Sequence, residues 1–324
     1  MKINRRNFLF AGTAMVATEL FGSGTTKSSK RLVKFGMMTD IHYADIAAPI
    51  ENLPPENPER CWDWMNYRAG LDKTRFAVAA FNERKEDFVI ELGDFKDNSG
   101  HDKSLEYLER VEAAFAEFKG PRYHVFGNHD TDCLSKPEFL SKIENTGIAK
   151  NRTYYSFEKG GVTFIVLDAC FHGNMKPYDH TCPYDDSNVP PEEMKWLEET
   201  LAKVKGHAVV FCHQRLDTKA YPKHDVRNAA EVRKVMEKSG KVIACFTGHE
   251  HLGGHDEVNG IIYYSLRSLG IRSLRENTSF AEVEIFDDGS IKVYGFDKAE
   301  NFPPSRRRGG SRGSVGISLS AGTF

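Results

Sequence analysis

Five short segments constrain this chain more than any other feature: Asp40-Ile41-His42, Gly93-Asp94-Phe95-Lys96-Asp97, Gly127-Asn128-His129-Asp130, His213 and Gly248-His249-Glu250-His251. Each follows a short run rich in apolar, β-forming residues. The runs are Leu32–Met38, Asp87–Leu92, Arg122–Phe126, His207–Cys212 and Lys241–Thr247, each 5 to 7 residues long, the length of a buried strand. One such segment alone reads as a turn. Five in series read as strand exits of an α/β sheet, where sites gather at the carboxyl ends of strands. Residues far apart in the chain can then meet at one point.

The donor chemistry narrows the function. The segments carry seven candidate metal ligands, Asp40, His42, Asp94, Asn128, His213, His249 and His251, and one further histidine, His129. Carboxylate, imidazole and amide oxygen without thiolate suit Mn, Fe or Zn. Seven side chains exceed one closed tetrahedral site. Shared between two divalent ions about 3.5–4 Å apart, with one carboxylate bridging, they fit a two-metal hydrolase. Gly93, Gly127 and Gly248 each precede a candidate ligand, where a tight turn and close backbone approach are needed.

Around these segments strands and helices alternate. Helices are expected near Arg68–Arg84, Lys103–Lys119, Pro137–Asn145, Pro191–Lys205 and Val226–Lys238. Thr153–Phe157 and Val162–Leu167 read as a hairpin. The end of the chain turns to β at Ile261–Leu266, Phe280–Phe286 and Ile291–Phe296, with a turn at Asp287-Asp288-Gly289. The fold class that follows is α/β, a four-layer α/β/β/α sandwich. The organisation expected is a leader and linker at 1–30, one catalytic domain at 31–301 and a basic Gly/Ser-rich tail at 302–324, solvated and disordered. Two long loops, Tyr43–Asn66 and Phe171–Pro190, leave the sheets beside the predicted site and are candidate substrate lids. The first carries Trp62 and Trp64, which can stack on a nucleobase.

Bulk properties exclude some classes. The net charge of −2 gives no basic field for nucleic acid, so none is expected as a partner. No apolar run reaches membrane-spanning length. Arg5 and Arg6 ahead of Asn7-Phe8-Leu9 and a mildly apolar Phe10–Leu20 resemble a twin-arginine export signal, implying a periplasmic or secreted protein. The six cysteines lack metal-finger spacing; a Cys61–Cys182 disulfide is the pairing that export would permit.

The combined pattern resembles the calcineurin-like metallophosphoesterases, and within them the manganese-dependent ADP-ribose/CDP-alcohol diphosphatases. The likeness runs from about Phe35 to Ala299. It includes Asp40-Ile41-His42-Tyr43-Ala44-Asp45, Asn66-Tyr67-Arg68, Leu92-Gly93-Asp94, Gly127-Asn128-His129 and Gly248-His249-Glu250-His251-Leu252-Gly253-Gly254. One position departs: the diphosphatases carry glutamine where this chain has His42, which matches the wider superfamily. The resemblance implies that Asp40, His42 and His251 hold one ion, that Asn128, His213 and His249 hold the other, and that Asp94 bridges. It implies in-line attack of an activated water on phosphorus. His129 is then the candidate acid for the leaving group, with Asp130 orienting it and Asp97 supporting the loop. Tyr67, Arg68, Trp62 and Trp64 are candidate substrate contacts. The substrate expected is a small phosphate ester or phosphoanhydride, such as ADP-ribose or a CDP-alcohol. The alternatives are an exported broad-specificity phosphomonoesterase or phosphodiesterase and a non-catalytic metal-binding module.

Overall fold

The computed structural model describes residues 29–48, 62–217 and 224–303. The export-signal stretch, the prolines of the first long loop, Cys61 and the basic tail lie outside the described residues. Cys182, the other half of the expected disulfide, carries a free thiol.

Eleven strands form two sheets among the described residues. They are β1 (Arg31–Met38), β2 (Phe88–Glu91), β3 (Arg122–His124), β4 (Tyr155–Lys159), β5 (Val162–Val166), β6 (Ala208–Phe211), β7 (Val242–Thr247), β8 (Gly254–Val258), β9 (Ile261–Ser265), β10 (Ala281–Phe286) and β11 (Ile291–Gly295). The first sheet runs β11-β10-β1-β2-β3 and the second β4-β5-β6-β7-β9-β8. Within the first, β1, β2 and β3 are parallel; within the second, β5, β6, β7 and β9 are. Among the described residues five α-helices cover the outer faces: α1 (Ala69–Arg84), α2 (His101–Phe115) and α3 (Lys136–Lys142) on the first sheet, α4 (Pro191–Leu201) and α5 (Ala229–Ser239) on the second. The expected α/β/β/α sandwich is the fold observed.

Side-chain alternation along each strand produces the layers. Val33, Phe35 and Met37 of β1, Phe88 and Ile90 of β2, and Val209 and Phe211 of β6 enter the core between the sheets. Val89 turns to the helices of the first sheet, and Ala208 and Val210 to those of the second. Phe35 stacks on Phe88 at 4.7 Å and meets Phe164 of the opposite sheet edge-on at 5.6 Å. Burying one such ring contributes about 1.5–3 kcal/mol. At Gly36 a Cβ would lie 2.5 Å from the Phe81 ring, so its absence lets α1 seat on β1.

Strand β8 has no counterpart in the sequence expectations. Of its residues, Gly254 to Val258, only Val258 is apolar and none is fully buried, so the apolar signal is missing. The Asn259-Gly260 turn that pairs it with β9 has both φ angles positive, 52° and 80°. That Asn-Gly dipeptide is the cue from which the hairpin is readable.

Lys73 ties the helical layer to the site. Its buried ammonium donates to the carbonyls of Leu269 (2.7 Å), Ile271 (2.9 Å) and Arg272 (2.8 Å). Burial pulls its pKa down to about 7, yet three carbonyls need three N–H donors, which only the ammonium has. The segment it holds runs beneath Asp40: Gly270 N and Ser268 Oγ both donate to the Asp40 carbonyl, each at 2.9 Å.

Candidate metal centre

The chain segments leaving β1, β2, β3, β6 and β7 converge. Asp40 N donates to Gly93 O (3.0 Å), His42 N to Asp94 O (2.9 Å) and Gly248 N to His213 O (3.0 Å), so each exit loop is fastened to another. Asp40, His42, Asp94 and His249 have φ of 49°, 47°, 58° and 64°. Non-glycine residues in this left-handed region carry strain, which collects at functional sites where the surroundings enforce it. Glycines supply the close approach. A Cβ on Gly93 would lie 2.5 Å from His213 Nδ1, and one on Gly127 would collide with Asp94.

Six of the seven candidate ligands fall into two groups whose donor atoms lie within 4.8 Å of one another: Asp40, His42 and His251; and Asp94, His213 and His249. Asp94 Oδ2 faces both groups, 3.5 Å from His42 Nε2 and 3.1 Å from His213 Nε2. Asn128 is the seventh. Its amide is buried in the short 3-10 turn Asn128–Thr131, with neither Oδ1 nor Nδ2 hydrogen-bonded.

This arrangement fits divalent cations. His42 Nε2 and His251 Nε2 face each other at 3.3 Å in a buried site, and Asp40 Oδ1 lies 3.4 Å from the second. His213 Nε2 is buried too, against the Asp94 carboxylate. Crowding imidazole and carboxylate donors together away from water is costly, and a cation shared among them removes that cost. The outer ring nitrogens are already engaged. His42 Nδ1 meets Asp97 at 3.1 Å, His213 Nδ1 meets Leu92 O at 2.8 Å, and His249 Nε2 meets Tyr184 O at 3.1 Å. These acceptors hold protons on those nitrogens and leave Nε2 of His42 and His213, and Nδ1 of His249, as lone-pair donors.

Electrostatics agree. Burial raises the Asp94 carboxyl, but His213, His129 and His42 outweigh it and hold it well below the usual carboxylate range. Burial likewise opposes Asp40, which His251 and His213 keep lowered. For His213, burial is overcome by Asp94 and Asp40, which push it up to about 9; burial and His213 together push His249 down to about 3. A site so rich in buried carboxylate and imidazole releases protons when it takes up cations.

Two expected roles change places. Asp130 does not face the His129 ring. Its carboxylate accepts from the amides of Gly127 (2.8 Å), Phe95 (2.9 Å) and Asp94 (3.1 Å). A carboxylate early in a helical turn folds back onto the exposed N–H groups at its start. The carboxylate beside His129 is Asp97, with Oδ2 3.8 Å from His129 Nδ1, and it also holds His42. Asp97 therefore belongs to the site, beyond the loop support expected of it. The His129 side chain keeps 14 % of its exposure, and burial lowers its pKa.

The two tryptophans separate. Trp62, 42 % exposed, packs its ring against His42 (5.2 Å), His129 (5.1 Å) and His251 (5.1 Å). Trp64 is buried with Met65 and Ile271, so it is a core residue and not a substrate contact. Tyr67 is partly buried beside that cluster, and Arg68 is engaged on the surface by Asp45 at 2.6 Å. His124 is buried between Glu91 (3.2 Å) and Glu112 (3.1 Å) beneath the β2 exit. Asp168 pairs with buried Lys136 at 2.5 Å, outside the ligand groups. The second long loop borders the other ligand group: the Tyr184 carbonyl receives His249, and the Tyr184 ring stands edge-on to His224 at 5.8 Å.

Paired sheets with carboxylate and imidazole donors at their strand exits define a metal-dependent phosphoester hydrolase. Residues 33–253, more than half of the chain, match the family of calcineurin-like phosphoesterases. The chain belongs to that family. Among its relatives, a manganese-dependent ADP-ribose/CDP-alcohol diphosphatase from Oryza sativa subsp. japonica is 27% identical, covering 85% of this chain and 95% of its own. A probable cyclic nucleotide phosphodiesterase from Fibrobacter succinogenes is 22% identical, over 68% of this chain and 74% of its own. A solved dimetal phosphatase from Danio rerio shares the fold with a TM-score of 0.71 at 21% identity, covering 84% of this chain and 98% of its own.

Proposed function

We propose that this enzyme hydrolyses the diphosphate bridge of nucleoside diphosphate-linked substrates, of the kind named for its ADP-ribose/CDP-alcohol diphosphatase relatives. The observation that carries the reading is Trp62. A large, exposed indole stands against His42, His129 and His251, at the mouth of the ligand groups. A planar base can stack there while its phosphates reach the donors, an interaction of about 1–3 kcal/mol.

In this reading Asp40, His42 and His251 would hold one cation, Asn128, His213 and His249 the second, with Asp94 shared. When bound, the two cations supply Lewis-acid charge and an activated water. The chain's own residues do the rest. Asp97 keeps the proton of His42 on Nδ1 and faces Nδ1 of His129, leaving His129 Nε2 to carry a proton to the leaving oxygen. Trp62 and the 171–190 loop position the substrate and exclude water from two sides. Asp130 holds the Gly127 and Asp94 loops in register through their amides.

The test is a panel with Mn(II): ADP-ribose, CDP-choline, a nitrophenyl monoester and a bis-nitrophenyl diester. The diphosphates should show the higher kcat/KM. In Trp62→Ala their KM should rise by roughly 5- to 150-fold on the stacking estimate, with little change for the esters. A wild-type enzyme that prefers the simple esters would overturn the reading in favour of a broad-specificity phosphoesterase.

A further inference from the structure

A second constellation of ligating side chains stands apart from the catalytic groups. His101 opens α2, Glu138 lies in α3, and His180 lies in the 171–190 loop. Their donor atoms fall within 4.8 Å of one another. His101 Nε2 is 2.7 Å from Glu138 Oε1, and His180 Nε2 is 3.5 Å from Glu138 Oε2. The rings lie almost parallel, 16° apart, with centroids separated by 6.3 Å. Tetrahedral donors each 2.0–2.1 Å from a zinc ion are about 3.3 Å apart, so these spacings bracket what a zinc site needs.

The outer contacts are those of a metal site. Each histidine meets a neighbouring aspartate through Nδ1: His101 with Asp102 at 3.0 Å, His180 with Asp179 at 2.9 Å. Such carboxylates fix the tautomer that leaves Nε2 as the ligand and make it a stronger donor. Glu138 is fixed in turn, its Oε2 accepting from Ser135 N (2.8 Å) and Ser135 Oγ (2.6 Å). His180 holds a left-handed φ of 52°, and its N–H donates to Leu134 O at 3.0 Å. Two imidazoles and one carboxylate with an open fourth position select zinc over calcium or magnesium.

We propose that His101, Glu138 and His180 form a third metal site, for Zn(II), which staples the 171–190 loop to α2 and α3. Its place in the fold gives it a consequence for the catalytic site. The same loop delivers the Tyr184 carbonyl to His249, gives its Thr181 carbonyl to Thr131 Oγ1 at 2.9 Å, and lays Cys182 against His129 and Asp132. A cation at His180 thus fixes one wall of the substrate site without touching a catalytic residue.

The experiment uses the full chain loaded with Mn(II) and titrated with Zn(II) at neutral pH, followed by elemental analysis after gel filtration. Wild type should retain one zinc ion per chain with its manganese undisturbed. The double variant His101→Ala/His180→Ala should keep its manganese. Its zinc retention should weaken by more than the ~10–100-fold that loss of an outer partner alone costs. Equal zinc retention in the two proteins would overturn the proposal. So would zinc uptake only in exchange for manganese.

Discussion

Asp97 offers the sharpest test of how the centre is built. Its Oδ2 lies 3.1 Å from His42 Nδ1, while its Oδ1 accepts the Asn98 amide at 2.7 Å. Burial raises this carboxyl, but the hydrogen bond and charge of His42 outweigh it and leave it lowered. The carboxylate holds the His42 proton on Nδ1 and turns a lone-pair Nε2 toward His251 and Asp94. In Asp97→Asn the shape and the bond to Asn98 can persist, but the charge is lost and the amide nitrogen can only donate. Loss of such an outer partner costs about 10–100-fold in metal affinity, or about 1.4–2.8 kcal/mol. Because Asp97 touches only one of the two ligand groups, the loss should be uneven. Calorimetric titration with Mn(II) should show one of two equivalents weakened and the other preserved. Both equivalents unchanged would refute the reasoning. Both weakened equally would return Asp97 to a role in holding the loop alone.

His129→Ala should lower turnover by ~10²–10⁴-fold with metal content kept, and the loss should shrink on substrates with very good leaving groups; loss of metal, measured by elemental analysis, would make His129 a ligand instead. Trp64→Ala should cost about 3–5 kcal/mol of stability in urea unfolding, as a large buried ring does, whereas Trp62→Ala should leave the urea midpoint nearly unchanged. Burial lowers the His124 pKa, but Glu112 and Glu91 outweigh it and push it up to about 9 from 6.5. A raised folded-state pKa stabilises fully below the unfolded value, so this contribution is present below about pH 6.5 and is lost as pH rises through 9, with Glu112 its main partner because burial pushes Glu91 up to about 8. The stability difference between wild type and His124→Gln should shrink across that window in urea titrations, and a constant difference would contradict the assignment. Replacing Arg5 and Arg6 with lysine should strand the precursor in the cytoplasm; an unchanged periplasmic fraction would refute export through that pair.

The elements of the fold were largely legible because their signals are local. Strands β1, β2, β6 and β7 announce themselves as apolar runs ending at Asp40, Asp94, His213 and His249. Helices α1 and α4 begin within a residue of expectation. The hairpin of β8 was not legible from apolarity, since an edge strand with no fully buried residue needs none. The donor types were equally readable, because aspartate, asparagine and histidine at strand exits are properties of single positions.

Which donors share a cation, and which neighbours hold them, is decided only by tertiary structure. His42 and His251 are 209 residues apart in the chain and 3.3 Å apart in space. Asp130 follows His129 directly, yet the helical turn folds its carboxylate back onto backbone amides. Asp97, from another loop, takes the place beside the ring. Trp62 and Trp64 differ by two positions, and one stands over the site while the other fills the core. Composition and spacing specify what each side chain can do. The direction it points depends on turns such as those at Asp40, His42 and Asp94, whose left-handed backbone is enforced by hydrogen bonds between loops rather than by local propensity.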